Sequence, residues 1–236
     1  MSVEAIILAS GTGKRMNSDK PKQYIDIQGK PLLYYTIKQF DNELIEGIVL
    51  VVGENDIEYC KSEIVEKYGL NKVKCIVAGG KERYNSVYNG LKYIDADYVM
   101  IHDGARPFIS AVTIDKVYKE LQNNDACIVG VKAKDTVKIA DDEGMVSSTP
   151  DRSYVWQVQT PQAFKTEKIK IAYEKAFSQD MKGITDDAMV WEKCINEPVK
   201  LVEGEYTNIK ITTPEDLIIA NAYVDMYFKK QENNDK

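Results

Sequence analysis

Histidine is almost missing from this chain: one residue, His102, in 236. A His-rich metal centre is excluded, and any Ser-His-Asp triad would depend on that single ring. Cysteine is scarce and scattered. Cys60, Cys75, Cys127 and Cys194 form no CxxC pair, so buried free thiols are expected in place of a zinc site or a disulfide framework. No apolar run reaches the roughly 20 residues needed to cross a bilayer. The opening Val3-Glu4-Ala5-Ile6-Ile7-Leu8-Ala9 has no basic flank of the kind that precedes a secretory signal. The expectation is a cytoplasmic protein with no membrane partner. Basic residues are the minority, 31 Lys+Arg against 37 Asp+Glu for a net charge of −6, which argues against nucleic acid held by a general charged surface. Any polyanion must be met locally.

What is present is a globular composition, 44% hydrophobic and 29% charged. Residues 1–230 read as a single domain, with a polar tail at 231–236. Ala5–Ala9, Ile48–Val52, Val73–Val77, Tyr98–His102 and Ala126–Val131 are short runs rich in Val, Ile, Leu and Ala, as expected of strands buried on both faces. Helical stretches at 31–40, 56–68 and 84–94 alternate with them. In the last, Tyr84, Val87, Tyr88, Leu91 and Ile94 share one face. The βαβα order predicts an α/β fold with a mostly parallel sheet flanked by helices. After Val131 the pattern breaks. Residues 132–156 read as a polar β-hairpin arm around Asp141-Asp142-Glu143-Gly144, too poor in apolar side chains to stand alone, with a partner subunit one candidate for what it packs on. Helices at about 165–178 and 186–194, a strand near 206–212 and a last helix complete the chain. Thr213-Pro214-Glu215-Asp216 opens that helix with an N-cap, a proline at N1 and an acid at N3.

The chemistry-bearing residues collect at strand ends. The first strand runs into Ser10-Gly11-Thr12-Gly13-Lys14-Arg15-Met16, a glycine loop with two cations, followed by Pro21-Lys22-Gln23. It is neither a Walker loop nor a dinucleotide fingerprint, because Arg15 stands where a third small residue belongs. A second glycine turn, Gly79-Gly80-Lys81-Glu82-Arg83, follows another strand. A third strand delivers His102-Asp103-Gly104-Ala105-Arg106-Pro107. All lie at the carboxyl edge, where open α/β sheets bind ligands. An acidic chain thus gathers Lys14, Arg15, Lys22, Lys81, Arg83 and Arg106 around one rim, with Asp103 as a carboxylate suited to Mg²⁺. Phosphate handling with a divalent cation is the implied chemistry.

Eight segments in order carry a family resemblance: Gly11-x-Gly13-x-Arg15-Met16, Pro21-Lys22-Gln23, Gly79-Gly80-x-x-Arg83-x-x-Ser86-Val87, His102 to Pro107, Asp135-Thr136-x-Lys138, Gln159-Thr160-Pro161-Gln162-x-Phe164, Thr185-Asp186-Asp187-Ala188, and Asn208 to Leu217. Together they resemble the 2-C-methyl-D-erythritol 4-phosphate cytidylyltransferases, over nearly the whole chain. The resemblance implies a Rossmann-like sheet with a protruding β-arm used for homodimerisation. It implies that the phosphate of methylerythritol phosphate attacks the α-phosphorus of CTP in line, with Mg²⁺ neutralising the triphosphate and pyrophosphate leaving, in isoprenoid precursor biosynthesis. By the same resemblance Arg15 and Lys22 stabilise the charged pentacoordinate phosphorus. Ala9, Ser10, Gly11, Gly13, Gly80, Lys81, Arg83, Ser86, Asp103 and Ala105 would bind the nucleotide, and Asp103 would also meet the metal. Arg106 and Lys210 would hold the sugar phosphate, joined by Thr136 and Arg152 from the arm of a neighbouring subunit. Ser10 departs from the pattern, since many members carry a second alanine there. Ribitol-5-phosphate cytidylyltransferases, which serve cell-surface polymer synthesis, share the loop, arm and nucleotide chemistry. Gly104-Ala105 after Asp103 resembles the methylerythritol branch, whereas polyol-phosphate enzymes often carry bulkier residues.

Other readings attach to the same residues. His102 is expected to orient the loop by a hydrogen bond rather than to act as a base. Trp156 and Trp191 read as core or interface aromatics, Asp141-Asp142-Glu143 as a solvated turn, and Thr185 as the N-cap of a helix whose dipole favours the acids after it. Two rival functions are a regulatory protein that holds CTP without turnover and a sugar-1-phosphate nucleotidyltransferase using UTP or GTP.

Overall fold

The structure is a computed structural model that describes residues 1–11, 21–179 and 181–229. Gly13, Lys14, Arg15 and Met16 of the glycine loop, and the tail at 231–236, lie outside the described residues.

Seven strands form the central sheet in the order β11-β7-β10-β6-β1-β4-β5. They are β1 (Val3–Ala9), β4 (Gly47–Val52), β5 (Val73–Ala78), β6 (Tyr98–Asp103), β7 (Ala126–Lys132), β10 (Trp156–Lys165) and β11 (Lys200–Glu203). All neighbours pair in parallel except β10, which runs antiparallel to both β6 and β7. Two short ladders lie outside the sheet, β2 (Asp26–Ile27) with β3 (Lys30–Pro31), and β8 (Ile139–Ala140) with β9 (Val146–Ser148).

Period-two alternation along the strands sorts the side chains into two layers. Ala5, Ile7, Leu50, Val52 and Met100 face a core shared with α1 (Leu32–Gln39), α2 (Ile57–Tyr59), the π-helical turns of Cys60–Glu66, and α4 (Ala111–Glu120). Ile6, Val49, Val51, Val99 and Ile101 face the other core, under α3 (Arg83–Leu91), α5 (Thr166–Ser178) and α6 (Asp187–Cys194). Both faces of the sheet are covered, which is why the strands read as unbroken apolar runs. A third cluster of Ile27, Leu32, Tyr35, Phe108, Ile211, Ala220 and Val224 seats α7 (Pro214–Val224) near the carboxyl edge.

Two sequence expectations are corrected. Residues 206–212 form no strand. Their polar groups are taken by irregular contacts instead, with Ile211 N–H donating to Ala105 O at 2.8 Å and Asn208 Nδ2 to Gln159 Oε1 and Thr160 O. The edge strand is β11, six residues earlier along the chain. The expected series also lacks β10, the interior strand that closes the gap between β6 and β7. Its register against β7 shifts between Val158 and Gln162, so Pro161, which has no N–H to give, sits where the ladder is interrupted.

The segment between β7 and β10 leaves the sheet as the expected arm. Asp141 forms its tip, with Oδ1 accepting from the N–H groups of Glu143 and Met145, while Gly144 takes a positive φ of 81°. The acidic cluster is therefore a turn, not a metal loop. At the base of the arm, Ala133 N–H donates to Val155 O.

Candidate active site

The chain leaves β1 to form α1, β4 and β5 on one side and returns to β6 on the other, so the topological switch lies at the carboxyl end of β1. A cleft opens there, as the fold dictates. It is lined by Ala9, Ser10, Gly11, Lys22, Gly80, Lys81, Arg83, Ser86, Asp103, Ala105 and Lys210, with Leu8, Gln23 and Glu82. Every nucleotide-binding residue expected from the sequence is in that wall except Gly13, which, like the expected catalytic residue Arg15, lies outside the described residues.

The wall is built from close backbone approaches. A Cβ on Gly79 would sit 2.4 Å from Ser10 Cβ, and one on Gly80 would sit 2.3 Å from Asn85 Cβ, so the turn admits only glycine at both positions. Glu82 then caps α3, in a reciprocal arrangement with Asn85. Ser86 Oγ, one turn into the helix, accepts from Gly80 N–H at 3.0 Å and lies 2.9 Å from Ser10 Oγ. The departure from alanine at Ser10 thus adds a hydroxyl pair at the floor of the cleft. Gln23 donates to Ala9 O at 2.6 Å and Lys22 Nζ to Ile211 O at 2.9 Å, fastening the segment after the glycine loop to both β1 and the chain before α7.

Asp103, at the end of β6, is the electrostatic centre. It is buried, and three cations surround it: Lys210 Nζ at 2.7 Å, Arg83 Nε at 3.4 Å and Arg106 Nε at 3.8 Å. Burial pushes its carboxyl up, but the charges of Arg83, Lys210 and Arg106 win and hold it well below the usual carboxylate range. Asp103, Arg83 and Lys210 also form the partition to a second cavity, lined further by Arg106, Gln159, Thr160 and Gln162. Arg106 donates through Nη1 to Asn208 O at 2.7 Å, while its buried Nε has no hydrogen-bond partner among the described residues.

His102 takes the structural role expected of it. Its Nδ1 lies 3.1 Å from Thr160 Oγ1 and its Nε2 3.0 Å from Arg106 O, and burial lowers its pKa to about 4. Trp191 is buried and stacks on Phe164. All four cysteines are free, Cys60 and Cys127 buried and the other two half-buried.

Thr136 and Arg152 are not brought to either cavity of this chain. Both are exposed on the arm, where Arg152 Nη1 donates to Lys134 O at 3.0 Å. The sequence reading of Thr185-Asp186-Asp187 is also corrected: Asp186 is the N-cap of α6, accepting from Met189 N–H, and Asp187 is wholly buried against Arg83.

Among the described residues no three His, Cys, Asp or Glu side chains come together as a metal cage. Asp103, kept ionised by its cations at the edge of the cleft, is the donor that fits a Mg²⁺ ion of the kind held by one carboxylate, water and the substrate's own phosphates.

Comparison with known proteins gives this geometry a family. The chain is 54% identical over 222 residues to a 2-C-methyl-D-erythritol 4-phosphate cytidylyltransferase of Lachnoclostridium phytofermentans, covering 93% of this chain and 95% of the relative. It is 51% identical to one of Clostridium botulinum, covering 94% and 99%. Among solved structures it resembles 4-diphosphocytidyl-2C-methyl-D-erythritol synthase of Anaerococcus prevotii, with a TM-score of 0.84, 41% identity and 95% and 96% coverage. It also resembles the cytidylyltransferase of Thermus thermophilus, with a TM-score of 0.78, 29% identity and 95% and 99% coverage. Residues 3–226 match the family described as "IspD: 2-C-methyl-D-erythritol 4-phosphate cytidylyltransferase", and with that match across the sheet, both cavities and the arm, the chain belongs to this family.

Proposed function

We propose that the cleft transfers CMP from CTP to 2-C-methyl-D-erythritol 4-phosphate. One observation carries the residue roles: Asp103, ringed by Lys210, Arg83 and Arg106, forms the partition between a cleft walled by glycine turns and a second cavity that Arg106 also lines. The cleft takes the cytidine and triphosphate, and the second cavity takes the polyol phosphate.

In the reaction a phosphate oxygen of methylerythritol phosphate forms a bond to the α-phosphorus of CTP. The bond from that phosphorus to the bridging oxygen breaks, and pyrophosphate leaves with the electron pair. Lys22, fixed by Ile211 O, supplies positive charge to the α-phosphate as negative charge builds there, and Arg15 joins it. Ser86 and the backbone at Gly80 and Lys81 meet the base. Arg106 and Lys210 hold the attacking phosphate. Mg²⁺, when bound at Asp103, neutralises the triphosphate.

Residues 1–230 work as one domain. The arm at 132–156 carries Thr136 and Arg152 to a second copy of the chain, making a homodimer with shared sites. Its exposed Ile139, Met145, Val146 and Tyr154 suit such a contact. No helix among the described residues is long and apolar enough to cross a membrane, and a cytoplasmic enzyme with no nucleic-acid partner is the reading that the composition supports.

The test is pyrophosphate release from CTP and Mg²⁺ with methylerythritol phosphate and ribitol 5-phosphate in parallel, and with UTP and ATP as controls. Turnover is expected with CTP and methylerythritol phosphate, and Lys22→Ala should lower kcat by about 10²–10³-fold. Turnover with ribitol 5-phosphate alone would overturn the substrate assignment, and preference for UTP would overturn the nucleotide.

A further inference from the structure

Asp187 lines neither cavity, yet it is tied to a residue that lines both, Arg83. Its carboxylate is fully buried, and both oxygens are turned on one guanidinium, with Arg83 Nη1 reaching Oδ1 and Nη2 reaching Oδ2 at 2.8 Å each. The Tyr173 hydroxyl, from α5, donates to Oδ1 at 2.5 Å. Gln162, buried on β10, accepts from the N–H groups of Asp187 and Ala188 through Oε1 and donates to Asp186 through Nε2, which pins the first turn of α6. Three elements thus hold one carboxylate in one orientation.

The consequence falls on Asp103. An arginine edge with two free N–H groups takes the nearest carboxylate with two parallel bonds. With the Nη1–Nη2 edge of Arg83 committed to Asp187, the guanidinium meets Asp103 Oδ1 through Nε alone, by a single contact at 3.4 Å. Of the other two cations, Lys210 is a half-exposed side chain able to move aside and Arg106 Nε stands off at 3.8 Å, whereas Arg83 is tied on its far side.

We infer that Asp187, with Tyr173, is a positioning residue: it occupies the two-pronged edge of Arg83 and so keeps the Asp103 carboxylate open to the divalent cation that accompanies the nucleotide. Without it, Arg83 turns its free edge onto Asp103 and competes with that cation. This rests on the reading of Asp103 as the carboxylate that meets Mg²⁺ with CTP.

Calorimetric binding of CTP to the full chain, titrated over Mg²⁺ without the second substrate so that nothing turns over, tests it. Asp187→Asn should raise the Mg²⁺ concentration for half-maximal CTP binding by about tenfold, and Tyr173→Phe, which keeps the ion pair, by about two- to fivefold. CTP binding without Mg²⁺ should stay within about twofold of the unsubstituted chain, and saturating Mg²⁺ should restore kcat. In an Arg83→Gln background, Asp187→Asn should add nothing, because its effect runs through Arg83. Substitutions that lower only the melting temperature, with the Mg²⁺ dependence unmoved in the soluble Tyr173→Phe protein, overturn the inference. So does a full effect of Asp187→Asn in the Arg83→Gln background. If Asp103→Asn leaves the Mg²⁺ dependence of the unsubstituted chain intact, the reading of Asp103 itself falls, a result separable from failure at Asp187.

Discussion

At the residue scale, the loop after β6 is set by a directed chain of hydrogen bonds. Asp103 N–H donates to Thr160 Oγ1 at 3.1 Å, so the Thr160 proton is turned toward His102 Nδ1. That leaves His102 protonated on Nε2, which donates to Arg106 O. One neutral ring thus fixes the backbone on both sides of Gly104-Ala105. Its cost appears at low pH. Burial lowers the His102 pKa from 6.5 to about 4, so between those values the unfolded chain binds a proton that the folded chain refuses, and stability rises with pH across the window. Taking the metal-free protein from about pH 7 to about 4.5 should lose on the order of 2–3 kcal/mol through this group. His102→Gln should be less stable at neutral pH but show a shallower slope in urea denaturation. Equal slopes in the two proteins would refute the account. The Asp103 carboxyl, held low by its cations, keeps its contribution until the pH falls below the usual carboxylate range, outside that window.

Helix starts matter more to the site than helix interiors. The N-cap of α7 is where the sequence places it, with Thr213 and Asp216 in a reciprocal capping box. Asp216 Oδ2 accepts from Thr212 N–H at 2.7 Å and Thr213 N–H at 2.9 Å, which orders the chain carrying Lys210 and the Ile211 carbonyl that holds Lys22. Asp216→Ala should cost about 1–2 kcal/mol, read as a lower denaturation midpoint, with a fall in kcat as Lys22 loses its anchor. An unchanged midpoint would show the box to be idle. That cap was legible because a capping box is local. So were β1, β4, β5, β6 and β7, whose double-sided burial leaves uninterrupted apolar runs. β10 was not, because its buried Gln159, Thr160 and Gln162 look like surface residues until their partners are known: Glu205 O and Asn208 for Gln159, and the start of α6 for Gln162. The segment 206–212 misled for the same reason, since its backbone and side chains are satisfied across the fold. Asp187 shows the limit most plainly. The segment Thr185 to Ala188 belongs to the family resemblance, but its residue types speak locally of a helix N-terminus, and the partner Arg83 lies 104 residues away, so nothing local shows what Asp187 does.

For the whole molecule, the arrangement of exposed apolar surface bears on how the site is completed. Tyr154 is 83% exposed and Met145 66% on the arm, and Ile218 is 74% exposed on α7. Single exposed apolar residues are ordinary, but here several share a projecting hairpin whose small two-stranded ladder has no core of its own. The same hairpin carries Thr136 and Arg152, which lie away from both cavities of their own chain. A closed two-fold pair of chains, each giving its arm to the other, accounts for both facts. The decisive measurement uses hybrids. On the shared-site proposal, Lys22→Ala should disable the site in its own chain, and Arg152→Ala the arm that serves the neighbour's site. In a hybrid of the two chains, purified through two different tags, one site carries both defects and the other carries neither. The hybrid should therefore reach about half the turnover of the unsubstituted dimer, although each parent dimer is crippled at both sites. A hybrid no more active than the mean of its parents would mean that Arg152 serves its own chain, and a fully active monomer at assay concentration would remove the shared site altogether.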